Sequence, residues 1–249
     1  MASKIKSILI SQPQPTEENN PFVQIGKKWN LKVEFRKFIQ IQGISAPEFR
    51  KQNLDPLKFT AVIITSKYAV DNYFRICKEL KIEMPPDMKY FCVSEATAKY
   101  LQKYIVIRKR KLFVGEKTAT DLLPLIKKYP NEKYIYPCSD IHRTDLTDFM
   151  HANGYHIKEA IIYNTVSSDL SDIQIKNYDM LCFFSPSGVE SLFKNFPDFV
   201  QGNTRIGVFG PTTAKTAKDL GLKIDIEAPL PNTPSMAGAI ENYLKVSNK

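Results

Sequence analysis

Apolar runs of about five residues, most followed by helical spacing, set the framework of this chain. Lys6-Ser-Ile-Leu-Ile10 reads as a short strand ending at Ser11-Gln-Pro13, and Thr16-Glu-Glu-Asn19 marks a helix start ahead of Phe22, Val23, Ile25 and Trp29. From Val33 to Ile41 the pattern alternates, with Val33, Phe35, Ile39 and Ile41 among polar residues, which predicts a half-exposed antiparallel strand. A similar segment returns at Ile157 to Val166, and the two are expected to pair as a ribbon. Between them strands are predicted near Ala61–Thr65, Tyr90–Val93, Tyr134–Tyr136 and either Ile105–Ile107 or Leu112–Val114, each followed by a helix-like pattern. After the ribbon only three buried strands remain, near Met180–Phe184, Arg205–Phe209 and Lys223–Ile226, which is few for a doubly wound sheet. The N-terminal strand supplies the missing one. The last helix is expected to start at Thr233-Pro234 and to bury Met236, Ala237, Ile240 and Leu244.

This pattern predicts an α/β protein of two domains with parallel sheets joined by a two-stranded β-ribbon. Residues 1–34 and 167–249 form a discontinuous first domain, 35–44 and 157–166 the linker, and 45–156 an inserted second domain.

The candidate chemistry centres on Leu181-Cys-Phe-Phe-Ser-Pro-Ser-Gly-Val-Glu-Ser-Leu-Phe193, a buried strand running into a hydroxylated turn and a helix. The first turn of such a helix offers unpartnered N–H groups and partial positive charge, which suits a phosphate or carboxylate. Ser185 and Ser187 can cap the helix or donate to a ligand, Pro186 fits its first position, and Gly188 lets a ligand approach the backbone. A Ser-capped helix after a strand is also ordinary in α/β proteins. A second copy strengthens the functional reading: in Ile63-Ile-Thr-Ser-Lys-Tyr-Ala-Val-Asp-Asn-Tyr-Phe74, Ser66 aligns with Ser185, Val70 with Val189 and Phe74 with Phe193. Val93-Ser-Glu-Ala-Thr-Ala-Lys99 likewise matches Phe209-Gly-Pro-Thr-Thr-Ala-Lys215, placing Thr97 on Thr213. The paired matches argue for two copies of one α/β unit.

Composition narrows the class. The 249 residues are 43% hydrophobic and 24% charged, as in a soluble globular protein of one large or two ordinary domains. No run of apolar residues approaches a membrane span, and Met1-Ala-Ser-Lys-Ile-Lys6 leads into a strand without a signal-peptide core, so a cytoplasmic location is expected. Cys77, Cys92, Cys138 and Cys182 are far apart, which suits buried thiols in a reducing compartment. A net charge of +9 favours an anionic partner without choosing among nucleic acid, membrane surface and a small polyanion. The densest basic run, Arg108-Lys-Arg-Lys111, lacks an aromatic ladder and reads as a solvated turn or strand edge. His142 and His151 are nine positions apart, and His156 and Cys138 complete no zinc spacing, so no metal is expected. Nucleotide-binding glycine loops and a Ser-His-Asp order are missing from the sequence.

Thr65-Ser66, Thr97, Ile162-Tyr163-Asn-Thr165, Phe184-Ser-Pro-Ser-Gly188 and Gly210-Pro-Thr-Thr-Ala214, with Glu227-Ala228-Pro229 and Thr233 ahead of the last helix, together resemble the uroporphyrinogen-III synthase family. The likeness spans almost the whole chain. It implies two flavodoxin-like domains joined by a two-stranded ribbon, with an active site in the cleft between them. It also implies a cofactor-free lyase acting on hydroxymethylbilane, a linear tetrapyrrole with about eight carboxylates, where positioning dominates over acid–base chemistry. Separately, the chain is expected to be a monomer with no nucleic-acid or membrane partner. Carried over by position, Thr65, Ser66 and Thr97 are expected to bind substrate from one domain, and Ser185, Ser187, Gly188, Thr212 and Thr213 from the other. Tyr163 is the expected catalytic residue, a protonated phenol assisting departure of the terminal hydroxyl. An aromatic on a half-buried ribbon is its structural alternative.

The chain departs from the family in three places. Ser11-Gln12-Pro13 stands where many members carry a Thr-Arg-Pro run, Tyr68 where a polar or basic residue is common, and Ser94 where glycine is usual. Arg143, expected on the helix after Tyr136-Pro-Cys-Ser139, is a candidate replacement cation or an ordinary surface residue. Two other readings compete: a tetrapyrrole- or polyanion-binding protein without turnover, and a nucleic-acid-binding protein whose affinity falls steeply with salt.

Overall fold

The structure, a computed structural model, describes residues 4–17, 19–106 and 108–247; Met1, Ala2, Ser3, Glu18, Ile107, Asn248 and Lys249 lie outside the described residues. In chain order the strands are β1 (Ser7–Ile10), β2 (Lys32–Phe35), β3 (Ile39–Gly43), β4 (Ala61–Ile64), β5 (Lys89–Cys92) and β6 (Leu112–Val114). They continue as β7 (Lys133–Ser139), β8 (His156–Ser167), β9 (Met180–Phe183), β10 (Arg205–Phe209) and β11 (Ile226–Ala228). The helices are α1 (Pro21–Trp29), α2 (Ala46–Arg50), α3 (Lys67–Glu79), α4 (Glu95–Leu101) and α5 (Leu123–Ile126). After them come α6 (Asp145–Ala152), α7 (Pro186–Asn195), α8 (Pro211–Asp219) and α9 (Met236–Ser247). The chain divides into two compact units, Met1–Gln40 with Val166–Lys249, and Ile41–Thr165. Both crossing points fall inside the segments expected to form the linker.

Unit one holds a parallel sheet in the order β2-β1-β9-β10-β11, with Ile8 in register with both Val33 and Met180. Its strands are apolar on both faces because both are covered. Leu9, Leu181 and Phe183 pack with Val189 and Leu192 of α7 and Ala214 of α8. Ile8, Ile10, Met180 and Cys182 pack on the other face with Ile25 of α1 and Ile240 and Leu244 of α9.

Unit two holds the order β3-β8-β7-β4-β5-β6. All its neighbours from β8 to β6 are parallel. Val62, Ile64 and Ile135 face Val70, Tyr73 and Ile76 of α3, while Ile63, Phe91 and Tyr134 face Ile126, Leu146 and Met150. The N–H of Ile44 donates to the Ile162 carbonyl (3.1 Å) and that of Ser168 to the Phe38 carbonyl (2.9 Å), so the segments around β3 and β8 run in opposite directions. β8 therefore does double service, as one arm of the ribbon and as a strand of the sheet.

Several boundaries differ from the sequence reading. The first helix begins at Pro21, not near Thr16, because Asn20 Oδ1 accepts the Phe22 N–H (3.0 Å) and Pro21 fits the first helical position. Val33 to Ile41 is not one antiparallel strand. It breaks after Phe35 into parallel β2 and then β3, because Phe38 turns into the core of unit one, edge-on to Phe183 at 5.6 Å. The strand expected at Lys223–Ile226 starts only at Ile226, since the Asp225 carboxylate accepts the Ile206 N–H (3.0 Å) at that corner. The last helix starts at Met236, where Ser235 Oγ takes the Gly238 N–H (3.1 Å), rather than at Thr233-Pro234. Of the two alternatives for one strand, Leu112–Val114 forms β6. The basic run before it is a 3₁₀ turn at Lys109–Lys111 leading into this edge strand, with Lys111 paired to Asp87 at 3.2 Å. Arg143 lies in the turn ahead of α6, paired with Asp145 at 2.8 Å, and is not on the helix.

Candidate functional site

Strand order alone locates the mouths. In a parallel α/β sheet a crevice opens at the carboxyl ends of two adjacent strands whose connections leave in opposite directions. In unit one those strands are β1 and β9, which end at Ser11 and at Phe184-Ser185. In unit two they are β4 and β7, which end at Thr65-Ser66 and at Ser139. All four ends thus carry a hydroxyl.

The turns at β4 and β9 have nearly the same geometry. Ser66 (φ −156°, ψ 163°) accepts the Ala69 N–H at 3.0 Å, and Ser185 (φ −154°, ψ 154°) accepts the Gly188 N–H at 3.1 Å. The aligned repeat is therefore a repeat of backbone conformation. The second pair diverges: Ser94 caps α4 through the Thr97 N–H (3.3 Å), whereas Gly210, at φ +91°, precedes α8 without a side-chain cap.

The candidate residues fall into three settings. Thr65, Ser66, Ser185 and Ser187 are half-buried at the mouths, and Thr212 is exposed in the first turn of α8. Gly188 is buried, and a Cβ there would lie 3.4 Å from Ser185 Oγ and 3.7 Å from Ser11 Oγ. Thr97 and Thr213 are 5% and 1% exposed, and the Thr97 hydroxyl bonds Ser94 Oγ at 3.1 Å.

Tyr163, on β8, is 9% exposed; its phenol interacts with the Ser66 hydroxyl, and its ring centroid is 6.5 Å from that of Tyr68. Burial raises its pKa, and the Ser66 contact opposes that only in part, so the phenol is protonated at neutral pH. Beside it Tyr136, raised in the same way by burial, interacts with the Thr65 hydroxyl. Unit two thus presents two neutral phenols against two hydroxyls. His142 Nδ1 meets the Ser139 carbonyl at 2.8 Å, and its Nε2 lies 3.2 Å from Glu159, whose carboxyl is desolvated yet kept low in pKa by Thr147 and His142.

Sequence reasoning missed Ser11, Tyr136, Ser139 and Asp140 as members of these mouths. A signal existed: Ser11 and Ser139 close apolar strands as Ser66 and Ser185 do. Two cavities, of 490 and 540 Å³, are lined by none of the candidate residues and lie along Lys32–Arg36 and along Phe74–Met84. Among the described residues no helix is long and apolar enough to cross a membrane, and no group of three or more His, Cys, Asp or Glu is placed to hold a metal ion.

Fold and mouths together define a two-unit α/β protein whose sheets carry hydroxyls and helix N-termini at their carboxyl ends. Residues 31–238 match the family model described as uroporphyrinogen-III synthase HemD. The chain belongs to that family. It is 23% identical to the uroporphyrinogen-III synthase of Chlorobaculum parvum over 261 residues, covering 97% of this chain and 100% of that one. It is 26% identical to the Saccharomyces cerevisiae enzyme of the same name over 140 residues, spanning 49% of this chain and half of that relative. In fold it is similar to the Helicobacter pylori uroporphyrinogen-III synthetase, with a TM-score of 0.59 and 18% identity over 97% of this chain and 100% of that one. A mutant uroporphyrinogen III synthase from Thermus thermophilus gives 0.53 and 17%, over 96% and 99%.

Proposed function

We propose that this chain is a hydro-lyase that closes hydroxymethylbilane with loss of water and inversion of the last pyrrole. The observation that carries the reading is the match to the family from residue 31 to 238, with Tyr163 buried on β8 beside the Ser66 turn, its ring 6.5 Å from that of Tyr68. In this reaction the terminal hydroxyl takes a proton and leaves as water, giving an azafulvene. The azafulvene carbon is attacked by the substituted carbon of the last ring to form a spiro centre. That centre fragments and recloses at the other carbon of the same ring, releasing the ring proton. The sequence is redox-neutral and calls for no electron carrier.

Tyr163 is assigned the proton donated to the departing hydroxyl, since a raised pKa keeps the proton on the phenol until the substrate arrives. Ser66, Thr65, Ser185, Ser187 and Thr212, with the N–H groups of the helix starts, are assigned carboxylate contacts. Thr97 and Thr213, being buried, are assigned to shaping the first turns of α4 and α8. The four buried thiols fit a reducing compartment such as the cytoplasm; burial pushes those of Cys77, Cys92 and Cys138 up to about 12.

The test is to incubate the protein with freshly made hydroxymethylbilane, oxidise, and separate the isomers. The expected product is isomer III. Isomer I alone, at the rate of a protein-free control, would leave a tetrapyrrole-binding protein without turnover.

Gly188→Ala tests the unit-one mouth. The added Cβ makes only ordinary contacts, so thermal stability is expected to stay near wild type. The methyl group nonetheless sits at the hydroxyls of Ser185 and Ser11, and KM is expected to rise severalfold. An unchanged KM would remove Gly188 from the binding surface.

A further inference from the structure

The side chains of β8 do not keep strict alternation. Ala160 and Ile162 pack in the cluster with Val70 and Tyr73, while Ile157 and Ile161 pack on the opposite face with Leu146 and Met150. Period two would send Tyr163 to the face of Ile161, yet it packs with Ala160 and Ile162 and reaches Ser66. The register shows why. Cys138 pairs with Ile161 and the next residue, Ser139, pairs with Tyr163, so Ile162 is an extra residue on β8. A bulge of this kind re-aims the side chain beside it.

A bulge leaves ladder groups unpaired unless something else meets them. Here each is met. Gln52, from outside the ladder, takes the Ile161 N–H at 2.9 Å and donates to its carbonyl at 2.7 Å, and the Ile44 N–H meets the Ile162 carbonyl at 3.1 Å. Asp140 provides the remaining contacts. Its N–H donates to the Tyr163 carbonyl at 3.1 Å, and its Oδ1 accepts the Thr165 N–H at 2.9 Å, so both contacts bracket Asn164 and hold β8 just after Tyr163. The same oxygen takes the Ser139 hydroxyl at 2.8 Å and the Ile141 N–H at 2.9 Å, which fixes the carboxylate itself.

The geometry points to Asp140 as the positioning residue for Tyr163: its N–H and carboxylate anchor β8 immediately after the bulge that turns the phenol toward Ser66. The assignment rests on the synthase reading for its effect on turnover, but the pin itself does not. Asp140 is exposed, so its hydrogen bonds add little to global stability and their loss is felt as a misplaced phenol.

The test combines Asp140→Ala, Asp140→Asn and Tyr163→Phe in the full chain. Asp140→Ala is expected to lower kcat by roughly tenfold to hundredfold with KM within about threefold, the scale of an ångström of misplacement. In the Tyr163→Phe background the same change is expected to add less than about twofold, because the two act as one unit. Asp140→Asn retains Oδ1 as an acceptor and is expected to stay within about threefold of wild type. Amide exchange at Thr165 is expected to be slow in wild type and in the Asn variant and fast in the Ala variant. Should Asp140→Ala fail to fold, Asp140→Ser, too short to reach the Thr165 N–H, replaces it. Full additivity with Tyr163→Phe, an Asn variant as poor as Ala, or fast Thr165 exchange in wild type would each overturn the assignment. A wild type that makes no isomer III ends the synthase reading alone, because the exchange rates still decide whether the pin exists.

Discussion

Tyr163→Phe is expected to lower kcat about a hundredfold while KM changes by less than about threefold, the lower end of what a positioned proton donor contributes. The split follows from the structure. Tyr163 is 9% exposed and packs with Ala160 and Ile162, so phenylalanine keeps the ring's contacts and loses only the hydroxyl that meets Ser66. Carboxylate contacts assigned to the helix starts are untouched, which holds binding near its wild-type value. The phenol's pKa lies above the usual value because of burial, with the potentials of Cys138 and Asp140 adding to the shift and the Ser66 contact opposing it. The acid form is therefore full at neutral pH and is lost only on the alkaline side of that raised pKa. Wild-type kcat should show no inflection from this group between about pH 6 and 9. Steady-state rates on hydroxymethylbilane, with the spontaneous isomer I background subtracted, measure both quantities. A kcat within twofold of wild type would reduce Tyr163 to an aromatic of the unit-two core.

The accuracy of the sequence reading follows from which interactions set each element. β4, β5, β9 and β10 are within a residue of their apolar runs, since a strand buried on both faces declares itself by composition alone. The repeat was equally legible, because Ser66 and Ser185 cap by local chemistry, reaching only to the third residue along. What could not be read depends on distant partners. The break between β2 and β3 exists because Phe38 packs on Phe183 and its carbonyl accepts from Ser191, a residue 153 positions away. The bulge on β8 is met by Gln52, 109 positions distant, and the strand just after it by Asp140, 25 positions from Thr165. Alternation is a local rule and cannot register such partners, so Tyr163 was placed on the ribbon without the reason for its orientation. Ser11 and Ser139 escaped for another cause: their role comes from strand order, which decides which strand ends lie next to each other.

The same long-range packing makes Phe183→Ala a strongly destabilising truncation. Phe183 is fully buried at the end of β9, where its ring meets Phe38 edge-on at 5.6 Å and lies in the cluster with Leu9, Val189 and Leu192. Removing it takes away the transfer free energy of a phenyl group and leaves a void bounded by strand and helix backbone that cannot collapse fully, a loss of about 3–5 kcal/mol. For a chain of this length that corresponds to a fall in Tm of roughly 10 °C. Phe183→Leu keeps most of the volume and is expected to lose less than half as much. Phe183 also lies 3.8 Å from where a Gly188 Cβ would stand, and it precedes the Ser185 cap by two residues. The cavity therefore opens under the unit-one mouth itself. Folded Phe183→Ala protein, assayed well below its Tm, should show a raised KM with a near-normal kcat, because Tyr163 and its partners belong to the other unit. Thermal unfolding together with the KM-against-kcat split checks both halves. A Tm within about 2 °C of wild type would mean that this corner of the core repacks, and that the turn carrying Ser185 is held by its cap and backbone alone.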